Sequence, residues 1–261
     1  MSFMDSLIIF PWPLRFLLNG IGQDFGNHAI LRRMDNQPTN AIIFDMDGTM
    51  VDNMAIHNQT WLDYLTEVGA QPDPQTFNDR TAGKTTPEII RLFLGQNLSE
   101  AEIRDHSAEK ELRYRQGFRL GAKPIPGLKE LLQAARSKGI MLGVATSAPP
   151  ENVRVVLESL DLIDFFDAVV NGEEIKKGKP DPEIFLTAAE RLQTPPARCL
   201  VFEDSRLGVE AALRAHMHVI LITTGIPAEQ ALEIPGVSKV IADFHQVSLA
   251  EILDLSEALG I

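Results

Sequence analysis

The side chains best placed to do chemistry are Asp45 and Asp47, two aspartates separated by one residue and followed by Gly48. Two carboxylates this close repel each other unless a cation or a proton lies between them. A hard divalent ion such as Mg²⁺ prefers oxygen ligands and keeps positions open for a phosphate. The pair therefore indicates metal-assisted chemistry on a phosphorylated compound, provided that partners follow along the chain.

Two other interpretations fit the Asp-x-Asp-Gly pattern taken alone. The pattern is common in turns that follow strands, and calcium-binding loops also begin with Asp-x-Asp. The calcium loop fails on position, because it would need a glycine at Met50 and a bidentate glutamate at Ile56. The choice between a turn and a catalytic pair depends on the rest of the sequence.

Further polar groups follow later apolar runs or lie in a turn between them: Thr146-Ser147, Lys179 in the basic turn 176–182, and Glu203-Asp204. The carboxyl ends of parallel strands meet at one edge of a sheet, so these groups are expected to lie together. The carboxylates would hold Mg²⁺, and the lysine and threonine would bind phosphate oxygens. One aspartate could attack phosphorus, and the other could serve as general acid and then base.

Short apolar strands alternating with amphipathic helices are the elements that would position these groups. Predicted strands cover 41–44, 140–145, 168–170, 199–202 and 219–222, with Val240-Ile241 as the last. This alternation predicts an α/β fold with a doubly wound parallel sheet. We assign residues 41–51 and 124–261 to this core.

In residues 52–123 the apolar residues recur at the spacing of a helix, and no strand is predicted there. One helix runs to about Val68 with Trp61, Leu62, Leu65 and Val68 on its apolar side, another starts at Thr86-Pro87, and a long one follows the capping box at Ser99. We interpret the segment as an inserted all-helical cap domain that covers the site and excludes water.

Residues 1–40 are a leader of uncertain role. Their apolar run is interrupted by Pro11 and Pro13 and is too short for a membrane span. One interpretation takes Met34 as the true start, and the other treats the leader as a surface-docking arm.

The net charge of −12 argues against nucleic acid as a partner. The single cysteine, Cys199, lies in an apolar run, which favours a buried thiol and a reducing, cytoplasmic location.

Taken together, these motifs resemble the haloacid dehalogenase-like superfamily, in the subgroup with a helical cap that includes β-phosphoglucomutase and sugar-phosphate phosphatases. The resemblance rests on Asp45-Met-Asp47-Gly-Thr49, Thr146-Ser147, Lys179 before Pro180, and Glu203-Asp204-Ser205 before Gly208. It runs from about Ala41 to the carboxyl end. It implies a Rossmann-like core and an Mg²⁺-dependent reaction through an aspartyl-phosphate.

By the same resemblance, Asp45 is the nucleophile and Asp47 the acid and base. Mg²⁺ would be held by the Asp45 side chain, the Asp47 backbone carbonyl and Asp204, with Glu203 nearby. Thr146 and Lys179 would bind the transferring phosphoryl group. Gly48, Ser147, His57, Lys84 and Lys110 complete the expected substrate-binding set. Dehalogenases of the superfamily usually lack the second aspartate, so Asp47 favours phosphoryl chemistry.

We expect a phosphatase acting on a small phosphorylated metabolite such as a sugar phosphate. The alternative is a β-phosphoglucomutase-type phosphomutase, since His57 and Lys110 look similar to mutase cap residues. Against it, Ala148-Pro149-Pro150 lacks the polar and basic side chains that hold a second phosphate in mutases, and Lys84 lies in a Gly-Lys pattern common in phosphatases. A phospho-ligand-binding module on the same fold is the non-enzyme alternative. The oligomeric state is not readable from the sequence.

Overall fold

A six-stranded parallel sheet forms the centre of the protein. The computed structural model describes residues 41–81, 84–118 and 123–257, with side chains as far as residue 253. The leader, Met34 and two residues of the Gly-Lys loop, Ala82 and Gly83, lie outside the described residues. The strands are β1 Ala41–Phe44, β2 Met141–Ala145, β3 Ala168–Val170, β4 Cys199–Glu203, β5 His218–Ile222 and β6 Lys239–Ile241.

The sheet has the order β3-β2-β1-β4-β5-β6, and every neighbouring pair is parallel. This confirms the predicted doubly wound α/β fold. In β1, Phe44 lies opposite Val144 of β2 and Phe202 of β4. The three central strands therefore end at one level, and the residues after them meet at one edge of the sheet.

Ten helices are described in the part of the chain that the structure covers: α1 Met54–Glu67, α2 Phe77–Thr81, α3 Thr86–Leu94, α4 Glu100–Phe118, α5 Leu128–Ser137, α6 Pro150–Ser159, α7 Glu183–Arg191, α8 Arg206–Arg214, α9 Ala228–Leu232 and α10 Leu249–Glu257. Successive side chains of a strand point to opposite faces. Ile42 and Phe44 thus join α5, α6 and α10 in one apolar cluster, while Ala41 and Ile43 join α7 and α8 in the other.

Helices α1 to α4 form a separate apolar cluster of their own. It contains Trp61, Tyr64, Leu65, Phe77, Ile89, Ile90 and Ile103. No strand occurs among described residues 52–118, and we call this stretch the helical segment. The assignment of 52–123 as a cap domain stays a prediction. Val68 was expected on the buried side of α1, which is wrong: it follows the end of the helix and is 37% exposed, and Tyr64 is buried instead.

Cys199 is buried at the start of β4, where its thiol approaches the Pro195 carbonyl at 3.5 Å. Burial raises the pKa of this thiol to about 12, which keeps it protonated. None of the helices in described residues 41–81, 84–118 and 123–257 is both long and apolar enough to cross a membrane.

Candidate active site

Asp45 lies directly after β1 and is nearly inaccessible to solvent, with 6% of its surface exposed. Its backbone amide donates to the Phe202 carbonyl at 2.9 Å, which extends the sheet pairing by one residue. Its carboxylate oxygen Oδ1 accepts a bond from Lys179 Nζ at 2.5 Å. The predicted neighbourhood of Asp45 and Lys179, which are 134 residues apart in sequence, is therefore present.

Lys179 lies between two carboxylates. Its ammonium donates to Asp45 Oδ1 and to Glu203 Oε1, each at 2.5 Å, and it also lies 5.0 Å from the centre of the Phe185 ring. Burial would lower the pKa of Lys179, but the attraction of Asp45 and Glu203 outweighs it and holds that pKa above the usual range. The ammonium is therefore a fixed positive charge at the site.

Glu203 is completely buried, and its carboxylate is largely occupied by the protein itself. Oε2 accepts from the backbone amides of Asp204 and Ser205 at 2.8 Å and from the Ser205 hydroxyl at 3.0 Å, while Oε1 accepts from Lys179. A Cβ at Gly208 would lie 1.7 Å from Oε1, so only glycine fits beside this carboxylate. Glu203 thus shapes the loop after β4 and orients Lys179.

Asp45, Glu203 and Asp204 form a buried acidic cluster in which one oxygen of each lies within 4.8 Å of the others. Burial, followed by repulsion from Glu203, raises the pKa of Asp204. Burial also raises the pKa of Asp45 to about 7, although Lys179 opposes this. Gly48 has φ +84°, and a Cβ there would lie 2.1 Å from Asp204 Oδ2, so glycine allows this carboxylate to approach.

Thr146 follows β2 at the same edge of the sheet. Its amide donates to the Val170 carbonyl at 3.0 Å, and its Oγ1 accepts from the Ala148 amide at 3.1 Å. Because the hydroxyl oxygen accepts that bond, its proton remains available to donate to an oxygen in the neighbouring cavity. Ser147 also lines that cavity.

Asp47 is held by side chains from the start of α1. Asn53 Nδ2 donates to Asp47 Oδ1 at 2.6 Å, and His57 Nε2 lies 3.4 Å from the same oxygen. Burial would raise the pKa of Asp47, but the His57 and Asn53 contacts more than offset it and the pKa is lowered. The carboxylate is thus ionised in this arrangement.

His57 connects Asp47 to the long helix α4. Its ring stacks on Tyr114 with centroids 3.7 Å apart, and its Nδ1 lies 3.3 Å from Lys110 Nζ. An ammonium can only donate, so Nδ1 is the acceptor and the ring proton lies on Nε2, facing Asp47. Lys110 is 1% exposed, with its charge 4.7 Å from the centre of the Trp61 ring.

A cavity of about 630 Å³ lies between the helical segment and the edge of the sheet. Every predicted site residue lines it except Gly48, which is not among its described lining residues; they are Asp45, Asp47, His57, Lys84, Lys110, Thr146, Ser147, Lys179, Glu203 and Asp204. The wall also carries polar side chains that the sequence did not single out, including Asn58, Asn78 and Gln230.

Two buried residues at the site were not predicted as part of it. From the sequence, Asp52 or Asn53 is a possible cap of the helix that runs to about Val68, and Tyr114 is a residue of the long helix that follows Ser99. Asn53 makes no capping bond, and instead its Nδ2 donates to both Asp47 and the Tyr114 hydroxyl at 2.6 Å. The sequence contains one sign of this role for Asn53, a polar side chain close to the first motif. A helix cap explains that side chain equally well.

Comparison with known proteins places these motifs in a family context. The profile described as haloacid dehalogenase-like hydrolase matches residues 42–222. A phosphorylated carbohydrates phosphatase from Thermotoga maritima is 35% identical over 180 residues, which cover 67% of this chain and 81% of the relative. Protein CbbY from Rhodobacter capsulatus is 33% identical over 190 residues, which cover 69% and 84%. The crystal structure of β-phosphoglucomutase from Clostridium difficile matches with a TM-score of 0.75 and 25% identity, covering 84% of this chain and 98% of that one.

Proposed function

The chain belongs to the haloacid dehalogenase-like hydrolases, and from that premise we propose that it is a phosphatase of a small phosphorylated metabolite, most naturally a sugar or polyol phosphate. We base the proposed class of reaction on the family and on similar proteins, which include a phosphatase of phosphorylated carbohydrates. The observation that carries the proposal is the contact of Asp45 with Lys179 beside Glu203 and Asp204. A nucleophile, a fixed cation and an acidic cluster are the set that phosphoryl transfer needs.

The donor set fits a magnesium ion. Three buried carboxylates lie close together with one ammonium among them, and burial raises the pKa values of Asp45 and Asp204. Oxygen ligands of this kind suit Mg²⁺. We assign Asp45, Asp204 and the Asp47 backbone carbonyl as ligands, and Glu203 as a neighbour, since both its oxygens already accept bonds. When bound, the ion would neutralise charge on the phosphate oxygens.

The reaction proceeds in two displacements at phosphorus. In the first, an Asp45 carboxylate oxygen forms a bond to phosphorus and the bond to the ester oxygen breaks, while Asp47, which first takes a proton from solvent, gives that proton to the ester oxygen. Thr146 and Lys179 bind the phosphoryl oxygens during the transfer. In the second, Asp47 takes a proton from water, the water oxygen attacks phosphorus, and Asp45 leaves. The products are an alcohol and inorganic phosphate.

The helical segment supplies the walls around the leaving group. Trp61 and Lys84 line the cavity from this side. His57 lies against Asp47, and Lys110 contacts the other nitrogen of the His57 ring. We propose that the segment works as a cap that excludes bulk water from the aspartyl-phosphate except for the attacking molecule. Lys84 is the side chain that we assign to the distal part of the substrate.

A phosphomutase of the β-phosphoglucomutase type remains the second candidate. The structural match to such a mutase and the His57–Lys110 contact favour it. The loop Ala148-Pro149-Pro150 opposes it, because these side chains offer no charge or hydrogen-bond donor to a second phosphate. The two activities separate by assay: a mutase primed with a sugar bisphosphate converts β-glucose 1-phosphate to glucose 6-phosphate and releases little free phosphate.

The test is phosphate release from a panel of sugar, polyol and other metabolite phosphates, measured with Mg²⁺ and with EDTA. Wild-type protein should release phosphate with Mg²⁺ only, Asp45→Asn should abolish release, and Asp52→Asn should not, since Asp52 is an exposed aspartate seven residues further on. If no member of the panel is hydrolysed, or if Asp45→Asn is as active as wild type, the proposal fails and a non-catalytic binding module gains support.

A further inference from the structure

A buried hydrogen-bond network joins the helical segment to helix α6 of the strand-bearing part. Its centre is Glu111 on α4, whose Oε2 accepts from Asn152 Nδ2 on α6 at 2.5 Å. Both residues are buried, with 4% and 0% of their surface exposed. Asn152 Oδ1 in turn accepts from Arg115 at 2.9 Å, so both ends of its amide contact α4.

This network links the two parts by side chains, in addition to the two places where the chain crosses between them. The chain enters the helical segment after Val51 and leaves after Phe118. Away from the first crossing, the side-chain hydrogen bonds between the two parts include those of Asn152 and one from Asn78, whose bond to the Gly225 carbonyl is a long 3.5 Å. The Asn152 bonds are therefore the stronger polar link on this side of the cavity.

The same glutamate also holds Lys110 in place. Glu111 Oε1 accepts from Lys110 Nζ at 3.0 Å and from the Thr86 hydroxyl at 2.5 Å. Lys110 is the group that faces His57 Nδ1, and His57 faces Asp47. Burial would raise the pKa of Glu111, but Lys110 and the other partners outweigh it and the pKa is lowered, so the carboxylate stays ionised.

Helix α6 is itself tied to the phosphate side of the site. It begins at Pro150, three residues after Ser147, in the connection that carries Thr146. Asn152 therefore lies between the loop expected to bind phosphate and helix α4. The network spans the distance between that loop and Lys110.

We propose that Glu111, Asn152 and Arg115 form a clasp that holds the helical segment closed over the cavity and sets Lys110 against His57. Asn152 is accordingly a positioning residue for phosphoryl transfer. The catalytic part of this inference rests on the proposed phosphatase function, whereas the closing part concerns the protein without substrate. Loss of the clasp should open the segment and lower turnover without weakening the phosphate site in the strand-bearing part.

Tryptophan fluorescence tests the closing part without any substrate. The chain has two tryptophans, and Trp12→Phe leaves Trp61, which lies on the cavity wall and is 4% exposed. In that background, Asn152→Ala should make Trp61 more accessible to acrylamide, while melting curves confirm that the protein is folded. Arg154→Ala is the matched control, because Arg154 is an exposed residue of the same helix whose guanidinium donates to Glu158. Unchanged quenching in Asn152→Ala would overturn the clasp.

An exchange of the two groups tests whether the hydrogen bond itself closes the segment. Asn152→Asp alone places two carboxylates against each other and should raise quenching. The double variant Glu111→Gln/Asn152→Asp restores one amide–carboxylate pair with the donor on the other side, and it should recover protection of Trp61. If the double variant stays as accessible as Asn152→Asp, the bond does not hold the segment and the inference is wrong.

Kinetics test the positioning part, with p-nitrophenyl phosphate as substrate and inorganic phosphate as competitive inhibitor. Asn152→Ala should lower kcat by about 10- to 100-fold, as expected when reacting groups are misplaced, while the inhibition constant of phosphate stays unchanged. Glu109→Gln, an exposed variant on α4, should change neither. A parallel loss of phosphate affinity would show that Asn152 only supports the phosphate loop, and an unchanged kcat would also overturn the positioning role. An inactive wild type would refute the phosphatase proposal, and the quenching experiments would still decide the clasp.

Discussion

We expect the metal-free protein to become less stable as the pH rises from about 6 to about 8, because its acidic cluster holds protons more tightly in the folded chain than in the unfolded one. Asp45 is the group for which the size of this effect can be worked out. Burial raises its pKa from the ordinary 3.8 to about 7, despite the contact with Lys179. The folded state therefore keeps a proton on this carboxyl at a pH where the unfolded chain has lost it.

The sign follows from proton linkage. An acid whose pKa is raised by folding lowers the stability above its unfolded pKa, and the penalty grows until the pH passes the folded pKa. Between about pH 6 and about pH 8, Asp45 alone should cost about 1.4 kcal/mol of the free energy of unfolding, or about 3–6 °C in melting temperature for a domain of this size. The raised pKa of Asp204 acts in the same direction.

Thermal or chemical denaturation in EDTA at the two pH values measures this loss, and the same series with Mg²⁺ tests its cause. Bound Mg²⁺ would take the place of the proton, so its stabilisation should be larger at the higher pH. Asp45→Asn should reduce the pH slope in EDTA, whereas Asp52→Asn should leave it unchanged. Stability in EDTA that is flat or rises with pH, or a slope that Asp45→Asn does not alter, would refute the reasoning.

Three further substitutions test single parts of the site. Asp47→Asn should lower kcat for an alkyl phosphate by about 10²- to 10⁴-fold, as expected for loss of a general acid, and less for p-nitrophenyl phosphate, whose phenolate leaves without a proton; equal losses would argue against that role. Gly208→Ala should destabilise the fold by about 1–3 kcal/mol in denaturation, because its Cβ would lie 1.7 Å from Glu203, and an unchanged midpoint would contradict this. Lys84→Ala should raise KM more for a charged metabolite phosphate than for the aryl phosphate, and the same rise for both would mean that Lys84 does not contact the distal part of the substrate.

The sheet and the meeting of distant polar groups were predictable because both depend on short-range pattern. Buried parallel strands are continuous apolar runs, and their carboxyl ends share one edge. Ile42 and Phe44 in one core and Ile43 in the other follow directly from the two-residue period. Asp45 and Lys179 are brought together by this geometry, with the residues between them folded into helices and strands that the pattern also indicated.

Helices α2, α8 and α9 were not predicted from the sequence. Helices α2 and α9 are five residues long, too short to show a helical period. Helix α8 has Gly208 in its first turn, and glycine lowers helix propensity. Here the tertiary fit decides, because Gly208 is the residue that leaves room for the Glu203 carboxylate.

The hydrogen-bond partners inside the site could not be predicted from the sequence either. Asn53, Tyr114 and Asn152 are polar residues in helical surroundings, where solvent exposure or capping is the ordinary expectation. Their burial depends on how α1, α4 and α6 pack together, and no short-range pattern encodes that packing. Glu203 shows the same limit: the sequence places its carboxylate beside the expected metal site, but it does not show the hydrogen bonds to Lys179 and to the loop after β4.

The proposed mechanism requires that Asp45 carries the phosphoryl group during turnover. The most direct test is to quench the reaction with acid within one turnover and to locate the added phosphoryl mass by peptide mass spectrometry. The added mass should be found on Asp45 in the wild-type protein, disappear on longer incubation, and be absent in Asp45→Asn. A phosphoryl group on another residue, or substrate hydrolysis by Asp45→Asn at the wild-type rate, would contradict this mechanism.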